Sequence, residues 1–181
     1  LRLDPSRPDS VQADSRTDVA IVRNAGKGPL EPLVASQFTE QYVGVSPDGR
    51  WISFVSDQSG RDEVYVRDLA GQGDQVLVSL DGGTEPVWGP DGRELFYWET
   101  RAADPHMIAA SIATTPTLGV TGRQRLFSIL DIVGTGPHAN YDISPDGKTF
   151  VMVRRSPAAR IVVIQNLPAL VRRLQGEGSG R

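Results

Sequence analysis

The tightest constraint on this chain is one backbone reversal met three times: Ser46-Pro47-Asp48-Gly49, Gly89-Pro90-Asp91-Gly92 and Ser144-Pro145-Asp146-Gly147. Proline presets φ for the first central position of a type I turn, and aspartate accepts hydrogen bonds from nearby amides. Glycine then takes a positive φ at little steric cost, so the chain returns as a bulged hairpin. Strand-like alternation follows each reversal. After the first, Ile52 and Phe54 share one face, with Trp51, Ser53 and Val55 on the other. Glu94 to Trp98 and Thr149 to Val153 repeat the pattern. Aromatic and β-branched residues at period two predict strands.

The reversals begin at 46, 89 and 144, so the periods are 43 and 55 residues. A four-stranded propeller blade takes about 40 to 50 residues. The spacing therefore predicts an all-β chain: a partial β-propeller of about three to four four-stranded antiparallel blades. Residues 1–17 read as a polar arm and 18–35 as the last two strands of a partial blade. Complete blades are expected over 42–80 and 85–129. A last blade and C-terminal segment cover 141–174, with Arg160 to Ile164 as a third strand, and 175–181 form a polar tail. Loops at 100–105 and 114–122 account for the longer second period.

Composition narrows the function classes. Hydrophobic residues make up 39% of 181 positions, enough for one sizeable core. The 19 Gly and 13 Pro suit many short strands joined by tight turns. A net charge of −3 supplies no basic field for nucleic acid. There is no cysteine, so disulfides and thiolate metal sites are excluded. No apolar run reaches the length of a membrane helix. Leu1 stands where an initiator Met would, which suggests a fragment or a processed chain. The tryptophans at 51, 88 and 98 are expected at equivalent strand positions, packing between blades rather than stacking on a cofactor.

Catalytic patterns are missing. No Gly-x-Ser-x-Gly elbow occurs, and no phosphate-cradling glycine loop with its lysine. His106 and His138 are the two histidines and lie in separate loops, so no zinc site and no other metal or cofactor is expected. Asp57, Ser59 and Asp62 alternate like calcium ligands, but hydrogen bonds within a hairpin turn account for them better.

Several runs resemble the TolB-like β-propeller repeat. They are Ser46-Pro47-Asp48-Gly49-Arg50, Phe54-Val55-Ser56-Asp57, Ser59-Gly60-Arg61, Val64-Tyr65-Val66, and Gly82-Gly83 followed by Glu85-Pro86 and Trp88. The order Leu126-Phe127, Tyr141, the third reversal and Phe150 looks like the C-terminal end of propellers attached to bacterial serine/threonine protein kinases. It is also similar to free-standing TolB-like proteins. The resemblance implies a propeller of six or more blades, a bacterial setting with a periplasmic or extracytoplasmic lean, and any kinase catalytic domain outside this chain.

In a propeller the innermost strand lines the central channel, and the loop leading into it opens on one face. Glu40, Glu85, His138 and Asn140 are then expected near that mouth. Groups converging there could bind a peptide, a sugar or a small ligand; the same groups could simply cap strand ends. The resulting expectation is a non-catalytic binding module, a sensor or interaction domain with a protein or small ligand at the propeller face. The rival is the substrate-gating propeller of a prolyl-oligopeptidase-like serine peptidase. Three and a half blades leave open faces, so residues 1–181 are also expected to associate with one another.

Overall fold

The computed structural model describes residues 16–71, 73–134, 136 and 138–155. Among these there is no helix. Twelve strands form two complete and two half blades. The first half blade pairs β1 (Val19–Val22) with β2 (Leu30–Val34). The first complete blade has the order β3 (Glu40–Val45), β4 (Trp51–Ser56), β5 (Glu63–Asp68), β6 (Val76–Leu77). The second runs β7 (Gly83–Trp88), β8 (Glu94–Glu99), β9 (His106–Ala113), β10 (Gly119–Ser128). The last pairs β11 (Tyr141–Ile143) with β12 (Phe150–Met152). All pairings are antiparallel.

The three reversals are one structure repeated. Gly49, Gly92 and Gly147 take φ of 70°, 69° and 71°. Their amides donate to the carbonyls of Ser46, Gly89 and Ser144 at 2.9, 3.0 and 2.8 Å. Asp48, Asp91 and Asp146 each accept, through Oδ1, the amide two residues on. The reversals also touch across blades. A methyl placed on Gly92 would lie 3.6 Å from Pro47 Cδ, and one on Gly147 would lie 3.5 Å from Pro90 Cγ. Successive reversals therefore sit side by side in separate sheets.

The core consists of the layers between blades. The second strand of each complete blade is covered on both faces, which is why period-two alternation here is apolar on both sides. Ile52 and Phe54 pack against Val19 and Val34 of the first half blade. Trp51 and Val55 pack the other way, with Trp88, Leu95 and Tyr97. Phe96 and Trp98 in turn face Tyr141, Phe150 and Met152. Each such side chain contributes about 1.5–3 kcal/mol through burial.

Three local expectations are corrected. The segment 114–122, expected as a loop, holds the start of the fourth strand of the second blade. That strand begins at Gly119, because pairing to Ala113 and Ile112 continues past both glycines. The inner strands begin at Glu40 and Gly83, two residues before the sequence pattern becomes clear. Trp51, Trp88 and Trp98 are all buried between blades, but at three different strand positions. Trp51 opens a second strand, Trp88 closes an inner one, and Trp98 lies late on a second strand. The expected strand at 160–164 and the segments at 1–15 and 156–181 lie outside the described residues.

Candidate functional site

The inner strands of the two complete blades each carry a bulge four residues before the reversal. Tyr42 and Glu85 occupy it with φ of 55° and 53°, and the ladder register shifts around each of them. A left-handed non-glycine residue costs about 1–2 kcal/mol, so its recurrence in consecutive blades marks a position held by surrounding packing. Asn140 stands at the same distance from the third reversal. Tyr42, Glu85 and Asn140 are thus equivalent positions on three successive inner strands.

Glu85 is the centre of the group. Its side chain is 2% exposed. Asn140 donates its backbone amide to Oε2 at 2.7 Å and its Nδ2 to Oε1 at 2.9 Å. The Tyr141 hydroxyl donates to the Glu85 carbonyl at 2.8 Å, and the Tyr141 ring stacks on Trp98. Burial pushes the Glu85 carboxyl above the usual range; the two Asn140 hydrogen bonds and the nearby His138 oppose the shift. Burial also raises the Tyr141 phenol well above its ordinary value, with the Glu85 charge adding to it.

Gly134 and Gly136, which precede β11, lie close to this group. A methyl on Gly134 would lie 3.0 Å from the Trp98 ring and 3.1 Å from Glu85 Oε1, so only glycine fits comfortably. The Tyr42 hydroxyl donates to the Gly136 carbonyl at 2.9 Å, a contact between residues 94 apart. His138 is exposed, and its carbonyl accepts Asn140 Nδ2 at 3.1 Å.

Of the four residues expected at the mouth, Glu85, His138 and Asn140 come together. Glu40 does not join their hydrogen bonds. It lies two positions before Tyr42, where the next blade has Gly83. Its Oε1 accepts the Ser36 hydroxyl at 2.6 Å and the Ser56 hydroxyl at 3.4 Å. Its amide bonds to the Thr17 carbonyl at 2.8 Å. Burial raises its carboxyl, Ser36 opposes the rise, and Asp18 and Asp57 add to it. Glu40 thus ties the half blade to the first complete blade. The sequence reading missed Tyr42; counting four residues back from each reversal would have found it.

A second polar knot lies within the first complete blade, at the start of β5. Glu63 is fully buried, accepts the Arg61 guanidinium at 2.5 Å, and accepts the Ser79 hydroxyl on its other oxygen. Ser79 Oγ in turn accepts the Val64 amide at 2.7 Å, so the group closes on itself. No cluster of three or more potential metal ligands occurs among the described residues. Among the described residues no helix is long and apolar enough to cross a membrane.

No protein-family model matches the chain, and no curated protein sequence does. Solved structures do. TolB from Acinetobacter baumannii aligns with a TM-score of 0.55 and 22% identity over 76% of this chain and 32% of its own. A structure described as TolB from Agrobacterium tumefaciens aligns with a TM-score of 0.57 and 22% identity over 75% and 49%. The chain thus spans about a third to a half of the structures it matches. The likeness is one of fold: this is a TolB-like, all-β partial propeller.

Proposed function

We propose that this chain is a non-catalytic binding module that takes a protein segment or small ligand at the mouth of its central channel. The observation that carries the reading is the convergence of equivalent positions from three inner strands on one polar group. Glu85 is committed to holding Asn140 in place. That leaves the exposed His138, the partly exposed Tyr42 and the neighbouring backbone to meet a ligand. A rigid shell around a few presented polar groups is the arrangement expected of a recognition surface. The TolB-like fold supports an interaction role in general terms. An extracytoplasmic, bacterial setting belongs to the same proposal.

The test uses peptides selected from a random dodecapeptide display library against the 181-residue chain. Peptides that bind should lose at least about tenfold in affinity on His138→Ala and Tyr42→Phe, and little on Arg125→Ala at the outer strand. Peptides indifferent to both mouth variants would overturn the proposal.

A further inference from the structure

The two half blades are opposite halves. β1 and β2 repeat β5 and β6 with a constant offset of 45 residues. Thr17 accepts the Glu40 amide as Asp62 accepts the Gly83 amide, at 2.8 and 3.0 Å. The pairs Ala20↔Pro32 and Ile21↔Glu31 match Tyr65↔Leu77 and Val66↔Val76. So β1 and β2 are the third and fourth strands of a blade. β11 and β12, flanking the reversal at Ser144, are the first and second strands of another.

Each half leaves a matching gap. Before β3, Val43 and Val45 are 49% and 55% exposed, although their counterparts Pro86 and Trp88 are buried by the preceding blade. Beyond β12, Val151 and Val153 are 67% and 57% exposed, although their counterparts Phe96 and Trp98 are buried. Among the described residues the ladder edge of β12 is unpaired too. Thr149 and Val153 bond back toward β11, so the backbone groups of Phe150 and Met152 point outward. Open apolar edges of this kind recruit another strand.

We infer that the occupant is a second copy of this chain, its β1 adding to β12 as β5 adds to β4. The β4–β5 register fixes which residues meet. It sets Val153 opposite Val19, Met152 opposite Ala20, Val151 opposite Ile21 and Phe150 opposite Val22. It also sets Arg154 opposite Asp18, an ion pair at the strand end. Side-chain direction agrees: Val151 and Val153 would turn toward the partner's exposed Val43 and Val45. The chain's own residues 160–164, and any polypeptide continuing beyond these 181 residues, are rival claimants for this edge. β1 is favoured because it arrives with its fourth strand already paired in blade register, and because its partner then leaves no gap before β3. Two copies related by a two-fold axis close into six blades, within the range propellers use.

The absence of cysteine makes the test direct. Val151→Cys and Ile21→Cys are prepared separately and mixed under mild oxidation. A disulfide-linked dimer should form in the mixture and in neither variant alone. The unmodified chain should sediment at twice its 19.6 kDa mass. Asp18→Arg and Arg154→Asp should each weaken the dimer, and the two swaps combined in one chain should restore it. A monomeric chain, as expected if residues 160–164 fill the edge, would overturn the inference. So would a dimer that fails to cross-link 151 to 21. Val151 is largely exposed, so its replacement leaves the fold of the single chain intact.

Discussion

Asn140 holds the buried carboxylate of Glu85 with both of its amides, one from the backbone at 2.7 Å and one from the side chain at 2.9 Å. The two residues are 55 positions apart and belong to different blades. A buried carboxylate is costly unless its oxygens are satisfied, so this pairing fixes the last blade against the one before it.

Removing half of that arrangement should be felt in stability. Asn140→Ala leaves Glu85 Oε1 without its partner and should cost about 1–3 kcal/mol. Asn140→Asp sets carboxylate against carboxylate and should cost more at neutral pH, with recovery on acidification. Urea unfolding of both variants at two pH values checks the order; equal losses at both would contradict it.

The raised carboxyls set a sign for pH dependence. Glu85 binds its proton more tightly folded than unfolded, so its contribution is fully present below the ordinary value of 4.5. That contribution is lost as pH rises through the folded value. Glu40 acts in the same direction. Asp48 and Asp146, lowered by their Ser46 and Ser144 hydrogen bonds, act oppositely but only below about 3.8. Glu85→Gln should therefore flatten the decline in unfolding free energy as pH rises above the ordinary value of 4.5. An unchanged slope would show that Glu85 does not titrate there.

Two glycines separate strain from crowding. At Gly49 an added methyl meets nothing within 4 Å, but φ is 70°. Gly49→Ala should cost about 1 kcal/mol from backbone conformation alone. At Gly83 the methyl meets Ser79 Cβ at 2.7 Å and Tyr97 at 3.1 Å. Gly83→Ala should cost about 1–3 kcal/mol and disturb the Ser79–Glu63 contact. Thermal unfolding, with the two variants side by side, measures the difference.

The buried Glu63 predicts a non-additive pair. Arg61→Ala leaves the buried Glu63 without the guanidinium and should lower stability, by less than for a fully enclosed pair because Arg61 is partly solvated. Ser79→Ala should cost about 1–3 kcal/mol. With Glu63→Met in the background, each loss should shrink sharply. A double-mutant cycle reads the coupling, and full additivity would argue against a shared network.

The architecture was readable in the residues because propellers announce themselves locally. Proline and glycine restrict a few dihedrals, and alternation reports which side chains face apolar surroundings. Both are properties of short stretches, so the reversals, their strands and the blade count followed. Pro32 likewise marked β2 as an outermost strand, since it cannot donate to a further ladder.

The convergence of polar groups around Glu85 was decided elsewhere. Glu40 and Glu85 are 45 residues apart, close to the 43-residue period, and look equivalent in the chain. The true counterpart of Glu85 is Tyr42, two residues on, and along a strand that shift is about 7 Å. The left-handed bulges, the reach of Tyr42 to Gly136 and the fit of Gly134 against Trp98 depend on how blades pack. No short stretch encodes them. Local stereochemistry chose the repeating unit; the stacking of units chose which polar groups would meet.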